Sequence, residues 1–507
     1  MCAIILMEVS HMEHLYPKTC YPLFTPLSAY IYDASKNQFV SVSKPLFFEL
    51  VQAHDCQTLQ NREELEALLK EGFLAPHAIK SVVHPFTKYI DLMLGRSMSQ
   101  ILLQVTQDCN FRCEYCVYTA SIDGVQRKHQ NKHMNWDTAK SAVDYLWEHS
   151  IDSDVITIGF YGGEPLLEYS LIQKIIDYSD KRFAGKQIHY AMTTNASLLS
   201  IEKARYLYDH HVHLILSIDG PAEIHNANRP FKDSNRGSYS VVLNNITQLK
   251  KELPEYINEI ELNMVIDPQS NLDEIYSILN EGGDFYGFKA MATIINDLSL
   301  KKKNNRTQDF SIQLEYQTFL LLLKELGLVQ INEHFPLSEI TVETAKKALE
   351  KKYEPTSQLP ESASPGGMCI PGVHKLFVTA DERLVTCERV NEPSEAGFLG
   401  TLTDGIDVAR AEKILNLAEL TKQECRECWA FRYCYNCLSH CDDGNRASRS
   451  LRLEHCKNAK QSVGYVFQIM LLLLQKEELF SYRVKNDEKN TVIPLHEKGI
   501  ASRSILE

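Results

Sequence analysis

The sequence predicts an α/β protein centred on a parallel sheet with crossover helices, on the scale of a partial (β/α)6 barrel. Three observations predict it. Between residues 100 and 297, six strand-like apolar runs alternate with helix-period stretches, the pattern of parallel strands joined by helices. Three cysteines spaced C-x3-C-x2-C directly follow the first of these runs. Eight more cysteines lie between Cys369 and Cys456, beyond a stretch at 355–367 rich in Pro, Ser and Gly.

Composition limits the function classes. A chain of 507 residues exceeds one ordinary core, so two to four domains are expected. Hydrophobic content of 44% with 23% charged residues is that of a soluble globular protein. The net charge of −13 argues against nucleic acid as a partner, because no basic excess exists to release counterions. The apolar patch Ala3 to Met7 has no basic residue before it and Glu8 after it, unlike a signal peptide. Val463 to Leu474 is interrupted by Gln468 and is too short for a bilayer, so it reads as a buried helix. No membrane partner and a cytoplasmic location follow. Fourteen cysteines in that compartment argue for metal over disulfides. Oxygen-sensitive clusters would suit an anaerobe.

Residues 1–90 form a small leading unit. Ala29 to Tyr32 and Gln38 to Val42 read as a hairpin around the polar turn Asp33 to Asn37. Helices are expected over Lys44 to Ala53 and Arg62 to Glu71, the second ended by Gly72. Cys2, Cys20 and Cys56 read as ordinary thiols. Residues 98–297 hold the expected strands 101–106, 155–161, 188–193, 212–218, 259–266 and 289–294. Helices between them include Asp137 to Glu148, Leu171 to Arg182 and Tyr239 to Leu249. Residues 298–365 bridge onward, with a polar loop at Lys301 to Asp309, helices over Leu314 to Leu328 and Thr341 to Lys352, and a domain boundary near 355–367. A cysteine-rich unit spans 366–475, and a polar tail spans 476–507.

The first chemical signal is Cys109-Asn110-Phe111-Arg112-Cys113-Glu114-Tyr115-Cys116, at a strand's C-terminal end. Three soft ligands this close can grip three irons of a 4Fe–4S cluster. The fourth iron keeps an open position for a small molecule, as a catalytic zinc does. A zinc knuckle or scattered core cysteines are the alternatives, but zinc wants a fourth His or Cys and none lies within the next dozen residues. Tyr161-Gly162-Gly163-Glu164-Pro165 follows the second strand, about 45 residues later, and its glycines allow close backbone approach.

C-x3-C-x2-C with Tyr115 before the last cysteine resembles the radical S-adenosylmethionine (SAM) superfamily. In that superfamily the open iron is chelated by the amino and carboxylate groups of SAM. An electron from the cluster splits the sulfonium into methionine and a 5′-deoxyadenosyl radical, which abstracts hydrogen from the substrate. The resemblance implies that Cys109, Cys113 and Cys116 hold the catalytic cluster and that Tyr115 lies against SAM. It also implies that Gly162, Gly163, Glu164 and Pro165 bind SAM's amino group. Asn195 would contact SAM from the cap Thr193-Thr194-Asn195-Ala196. Ser217 would hydrogen-bond it, and Arg229 would pair with its carboxylate. Asp219-Gly220-Pro221 is a plain turn in the bland reading, Asp219 is a candidate base, and Val265 either touches adenine or is core.

Cys369, Cys387, Cys425, Cys428, Cys434, Cys437, Cys441 and Cys456 supply eight further thiols, enough for two four-iron clusters at four each. The dense part reads C-x2-C-x5-C-x2-C-x3-C, which a zinc ribbon also allows. Downstream of such a barrel it resembles the SPASM domain, which implies three 4Fe–4S clusters in all. By that resemblance Cys425, Cys428, Cys434 and Cys456 hold a distal cluster. Cys369 and Cys387 hold a proximal one with Cys437, Cys441 or both. Two departures stand out: Cys437 and Cys441 both follow Cys434, and Glu382 occupies the place of the usual glycine five residues before the second cysteine.

A hairpin followed by two helices resembles the winged-helix element that clamps an extended leader peptide by strand addition. A packing subdomain is the alternative. The combination resembles SPASM maturases of cysteine-rich peptides, including the sactisynthases, which join a Cys sulfur to an α-carbon. The resemblance implies a Cys-rich precursor peptide with a leader, and a reductant such as flavodoxin or ferredoxin. Rivals are formylglycine formation of the anaerobic sulfatase-maturase type, carbon–carbon or β/γ-carbon thioether links, and a non-catalytic iron–sulfur carrier.

Overall fold

A computed structural model describes residues 18–52, 60–75, 79–116, 118, 129–233, 236–295, 306–351, 353 and 359–476. The expectations for Cys2, Ala3 to Met7, Ala53, Cys56, Lys301 to Lys303, 354–358 and the tail beyond Lys476 lie outside the described residues. Strands β1 (Cys20–Phe24), β2 (Ala29–Asp33) and β3 (Gln38–Val42) form an antiparallel sheet in that order. β1 goes beyond the expected hairpin. Its Pro22 cannot donate to a ladder, which an edge strand tolerates. One face of this sheet buries Cys20, Ile31 and Val42 with Leu46, Phe47 and Leu50 of α1 (Lys44–Gln52) and Leu68 of α2 (Arg62–Lys70).

The chain then runs through β4 (Ser81–Val82) and α3 (Ile90–Arg96) into the barrel. Its six strands are β5 (Gln100–Thr106), β6 (Val155–Gly162), β7 (Gln187–Thr194), β8 (Val212–Ser217), β9 (Ile260–Ile266) and β10 (Lys289–Ile294), each parallel to the next. Crossover helices include α4 (Trp136–His149), α5 (Tyr169–Arg182), α6 (Ile201–Asp209), α7 (Ala222–Asn228), α8 (Tyr239–Glu252) and α9 (Leu272–Tyr276). Local sequence fixes their starts: Asn135 and Ser200 accept the N–H groups of Thr138 and Lys203 as caps of α4 and α6. Side chains alternate in and out. On β9, Ile260, Leu262, Met264 and Ile266 are buried against helices, while Glu261, Asn263 and Val265 are half-buried on the inward face.

Helices α10 (Gln308–Glu325) and α11 (Pro336–Lys351) both begin earlier than apolar spacing predicts, because Thr307 caps one and Pro336 opens the other. β11 (Ser362–Ala363) pairs back to β4. The sheet then continues through the cysteine-rich region. β12 (Leu376–Val378) lies parallel to β5, with Leu376 opposite Ile101 and Val378 opposite Leu103. β13 (Arg383–Val385), β14 (Phe398–Thr401) and β15 (Gly405–Ile406) extend it antiparallel, giving one ten-stranded sheet. Glu382, in the β12–β13 turn, has φ 69°, so the left-handed conformation is kept without glycine.

Helices α12 (Val408–Leu415) and α13 (Lys422–Arg426) precede α14 (Arg449–Leu474), which starts well before the expected Val463 and carries Cys456. Ser448 caps it, and its polar first half gives no apolar period to read. Among the described residues, no helix is long and apolar enough to cross a membrane. α14 also seats the N-terminal sheet. Tyr32 and Phe39 pack on Phe467, and Tyr21 stacks on Trp429 with centroids 3.9 Å apart. A Cβ on Gly464 would lie 2.6 Å from Tyr21 Oη. Gly464→Val is therefore expected to overpack this seam and destabilise the chain by about 1–3 kcal/mol, read as a lower thermal midpoint with faster proteolysis of the N-terminal unit. An unchanged midpoint would mean that Tyr21 is not held by the stack.

Candidate active site

The loop after β5 carries Cys109, Cys113 and Cys116, the first two buried and the third half-buried. Two segments clamp it. Gly163 N donates to Thr106 O, and Glu164 N to Asp108 O, both at 2.9 Å. On the other side Arg112 N, Glu114 N and Lys232 N bond to Pro230 O, Asn228 O and Asn110 O. Phe111 meets Phe231 edge to face. Backbone N–H groups of Phe111 and Tyr118 each donate to a cysteine sulfur, Cys109 Sγ and Cys116 Sγ, at 3.4 Å. Burial pushes Cys113 up to about 12, although Arg229 pulls it down. Metal ligation removes such protons, and N–H donors to sulfur stabilise the resulting charge. This donor set fits an iron–sulfur cluster.

Glycines 162 and 163 are what let the strands close on that loop. A Cβ on Gly162 (φ 134°) would sit 2.0 Å from Thr106 O, and one on Gly163 would sit 2.0 Å from Asp108 O. Glu164 is 1% exposed and accepts three bonds: Leu166 N and Thr194 Oγ1 on Oε1, Asn195 N on Oε2. Burial raises its pKa and those donors lower it. Its carboxylate thus pins the end of β7 to the end of β6, and buried Pro165 opens the next turn. Asn195 Nδ2 donates to Asn110 Oδ1 at 2.8 Å and lies 4.0 Å from Cys109 Sγ.

From β8, Ser217 is buried at the strand end, opposite Asn263. Buried Asp219 and Arg229 form a triad with half-buried Tyr115. Tyr115 Oη donates to Asp219 Oδ2 at 2.6 Å, and Arg229 Nη1 donates to Tyr115 Oη at 2.8 Å. Arg229 Nη1 also lies 3.4 Å from Asp219 Oδ1. Burial raises Asp219 against the pull of Arg229. Its carboxylate is fully buried and engaged by Tyr115, Arg229 and Val265 N, so the geometry makes it a support for Arg229 and not an exposed base. Arg229 Nε is buried with no hydrogen-bond partner among the described residues, ready for one more acceptor.

Residues 103–281 match the Radical SAM superfamily. The chain carries a radical SAM domain. It is 27% identical to the radical SAM cyclopropyl synthase TigE of Paramaledivibacter caminithermalis over 40% of this chain, a span of 46% of that enzyme. It is 22% identical to a cysteine-type anaerobic sulfatase-maturating enzyme of Clostridium perfringens over 73% of this chain and 96% of that one. Its fold is similar to the structure of anSMEcpe with bound AdoMet and Cp18Cys peptide, with TM-score 0.55 and 19% identity over 75% of this chain and 99% of the other.

The eight cysteines beyond the radical SAM domain fall into two neighbourhoods. Burial raises Cys425, Cys428 and Cys434; Cys456 adds to the rise at Cys425 and Cys434, and Cys434 and Cys425 add to it at Cys428. Burial likewise raises Cys369 and pushes Cys387 and Cys441 up to about 11, and in each case Cys437 adds to the rise. Cys441 is fully buried, its Sγ 3.6 Å from the carbonyls of Cys437 and Leu438. All the described cysteines are free thiols. Among the described residues, no three His, Cys, Asp or Glu side chains converge on a single metal ion. A four-iron cluster spreads its ligands wider than one ion does.

One group escaped the sequence reading. Gln104, the polar break in the Ile101 to Val105 run, donates from Nε2 to Tyr118 Oη at 2.9 Å and to Glu392 Oε2 at 2.7 Å. Gln107 Nε2 donates to Glu392 Oε1 at 2.9 Å. This buried network ties the loop after β13, which carries Cys387, to β5 and the start of the loop that carries Cys109. A lone glutamine in an apolar strand was the available signal.

Proposed function

We propose that this radical SAM protein matures a ribosomally made, Cys-rich precursor peptide, joining a Cys sulfur to an acceptor α-carbon. The observation that carries the reading is the pairing of β12 with β5, which joins the segment between Cys369 and Cys387 to the strand that precedes Cys109. An oxidative peptide modification needs an electron outlet close to where the radical acts. Residues 1–90 would hold the leader peptide along an edge of the β1–β3 sheet, where β1 and β3 each pair on one side only. Residues 98–297 would hold SAM, and 366–475 two further 4Fe–4S clusters. Residues 298–365 would bridge these units, with 476–507 as a tail. The free thiols fit a reducing, cytoplasmic compartment.

The cluster and SAM would supply the 5′-deoxyadenosyl radical. The chain's own residues would do the rest. Cys109, Cys113 and Cys116 would ligate, and Gly162 to Pro165 and Asn195 would shape the pocket. Ser217 and Arg229 would hold SAM's polar end. Arg229 Nε is the unfilled donor there. Formylglycine formation of the sulfatase-maturase type is the second reading, favoured by the relative that is matched over 96% of its length.

The test is anaerobic incubation of the reconstituted protein with SAM, a flavodoxin or ferredoxin reductant and a Cys-rich leader peptide encoded nearby, followed by mass spectrometry. A loss of two hydrogens per link, with fragments locating a Cys-to-α-carbon thioether, is the expected result. A formylglycine in place of Cys or Ser would favour the second reading. Absence of 5′-deoxyadenosine with all clusters present would reject both and leave an iron–sulfur carrier.

A further inference from the structure

The polar break in β5 points into the barrel. Glu261, Asn263 and Val265 form the inward side of β9. Strand register carries that side across the sheet. Asn263 lies opposite Ser217, and two residues earlier on β8 Ile215 lies opposite Thr193. Met192 pairs with Phe160, which puts Thr193 on the same side as Tyr161, and Tyr161 lies opposite Gln104. Alternate residues share a face, so Gln104 shares the inward face with Ser217.

The Gln104 amide is fully engaged. Its Oε1 accepts Ala380 N at 3.0 Å and Gln107 Nε2 at 3.1 Å, and its Nε2 donates to Tyr118 and Glu392. A side-chain amide has two donor and two acceptor positions, so this one is locked in place. Gln107 Nε2 donates both to Gln104 Oε1 and to Glu392 Oε1. The two glutamines thus hold Glu392 by one N–H on each carboxylate oxygen. Amides are neutral donors, and they orient the carboxylate without cancelling its charge. Glu392 is 7% exposed and lies five residues beyond Cys387, so the C-terminal region supplies it to the barrel. The barrel's own buried carboxylates have other tasks. Glu164 joins β6 to β7, and Asp219 supports Arg229.

A thiol must lose its proton to become a nucleophile, and a base must stand within hydrogen-bond reach of that proton. We propose that Glu392 is the base that takes the proton of the substrate Cys thiol. The inference rests on the thioether reading given above. In the step, the acceptor α-hydrogen goes to the 5′-deoxyadenosyl radical and the thiol proton goes to a Glu392 oxygen. The C–S bond forms, and the surplus electron passes to an oxidised iron–sulfur cluster among the C-terminal cysteines. Glu392 then releases its proton to solvent.

The experiment reconstitutes the full chain and its variants anaerobically, with SAM, flavodoxin and the Cys-rich leader peptide encoded nearby. Iron, 5′-deoxyadenosine and linked peptide are measured. Glu392→Gln is expected to keep iron and deoxyadenosine at native levels and to lower linked peptide per deoxyadenosine by at least about 100-fold. Gln107→Met removes a bond that holds the carboxylate but keeps the carboxylate, so its ratio should stay within about tenfold of native. Glu392→Ala leaves room for a small carboxylate, and added formate is expected to restore part of its yield. A native ratio in Glu392→Gln, an equally deep loss in Gln107→Met, or no recovery with formate would make Glu392 a tether and overturn the proposal. If Glu392→Gln alone loses iron, the formate result decides. Loss of iron in both Glu392 variants would also overturn it. A native chain that makes deoxyadenosine but no thioether would reject the thioether reading itself, and this proposal with it.

Discussion

Gly163→Ala is expected to abolish 5′-deoxyadenosine formation while most of the chain stays folded. The objection to the added methyl is space. Its nearest neighbours are Asp108 O at 2.0 Å, Asp108 C at 2.5 Å and Cys109 N at 3.1 Å. All are backbone atoms of the cluster loop, so no side chain can swing aside. The loop must move, and with it the Cys109 ligand. Displacement of a reacting group by about 1 Å costs on the order of 100-fold in rate, and loss of the barrel cluster would remove about four irons. Iron content, deoxyadenosine yield and thermal midpoint are the three readouts. Gly95→Ala is the matched control, because a Cβ there meets nothing within 4 Å. Native activity in Gly163→Ala would show that the loop is not fixed by its contact with β6.

The barrel was legible because its physics is local. Each strand–helix unit has its own period, and each expected strand starts within about a residue of the observed one. The cysteine loop and Gly162 to Pro165 were equally plain. Their purpose was only half visible. Glu164 reads as part of a SAM motif, yet its carboxylate is fully occupied in joining β6 to β7. Elements with weak local signals were missed: β1 with its proline, three-residue β12, and the polar first half of α14. The Gln104–Glu392 bond joins residues 288 positions apart, and no window of sequence brings such residues together. Arg452, on the polar first half of α14 and 1% exposed, was hidden for another reason. An arginine on a polar helical stretch reads as solvated, and only the packed fold shows it buried.

Arg229→Met separates what holds the site from what binds in it. The substitution is expected to lower stability by about 3–5 kcal/mol, the usual penalty for leaving one partner of a buried pair uncompensated. Asp219, fully buried beside Tyr115, is the group left exposed to that penalty. It would escape by taking up a proton, since burial already raises its pKa. The double variant Arg229→Met, Asp219→Asn removes the stranded charge and is expected to recover stability to within about 1 kcal/mol of the native chain. Recovery of the fold should not bring back SAM binding if Arg229 Nε is the donor for its carboxylate. The expected pattern is therefore a restored thermal midpoint with SAM binding weakened at least tenfold, a loss of about 1.4 kcal/mol. Arg229→Lys keeps the charge but lacks the fork that reaches Tyr115 and a ligand together, so it should fold yet bind weakly. SAM affinity that returns with stability in the double variant would assign Arg229 to the scaffold alone, and the carboxylate of SAM would need another partner in the pocket.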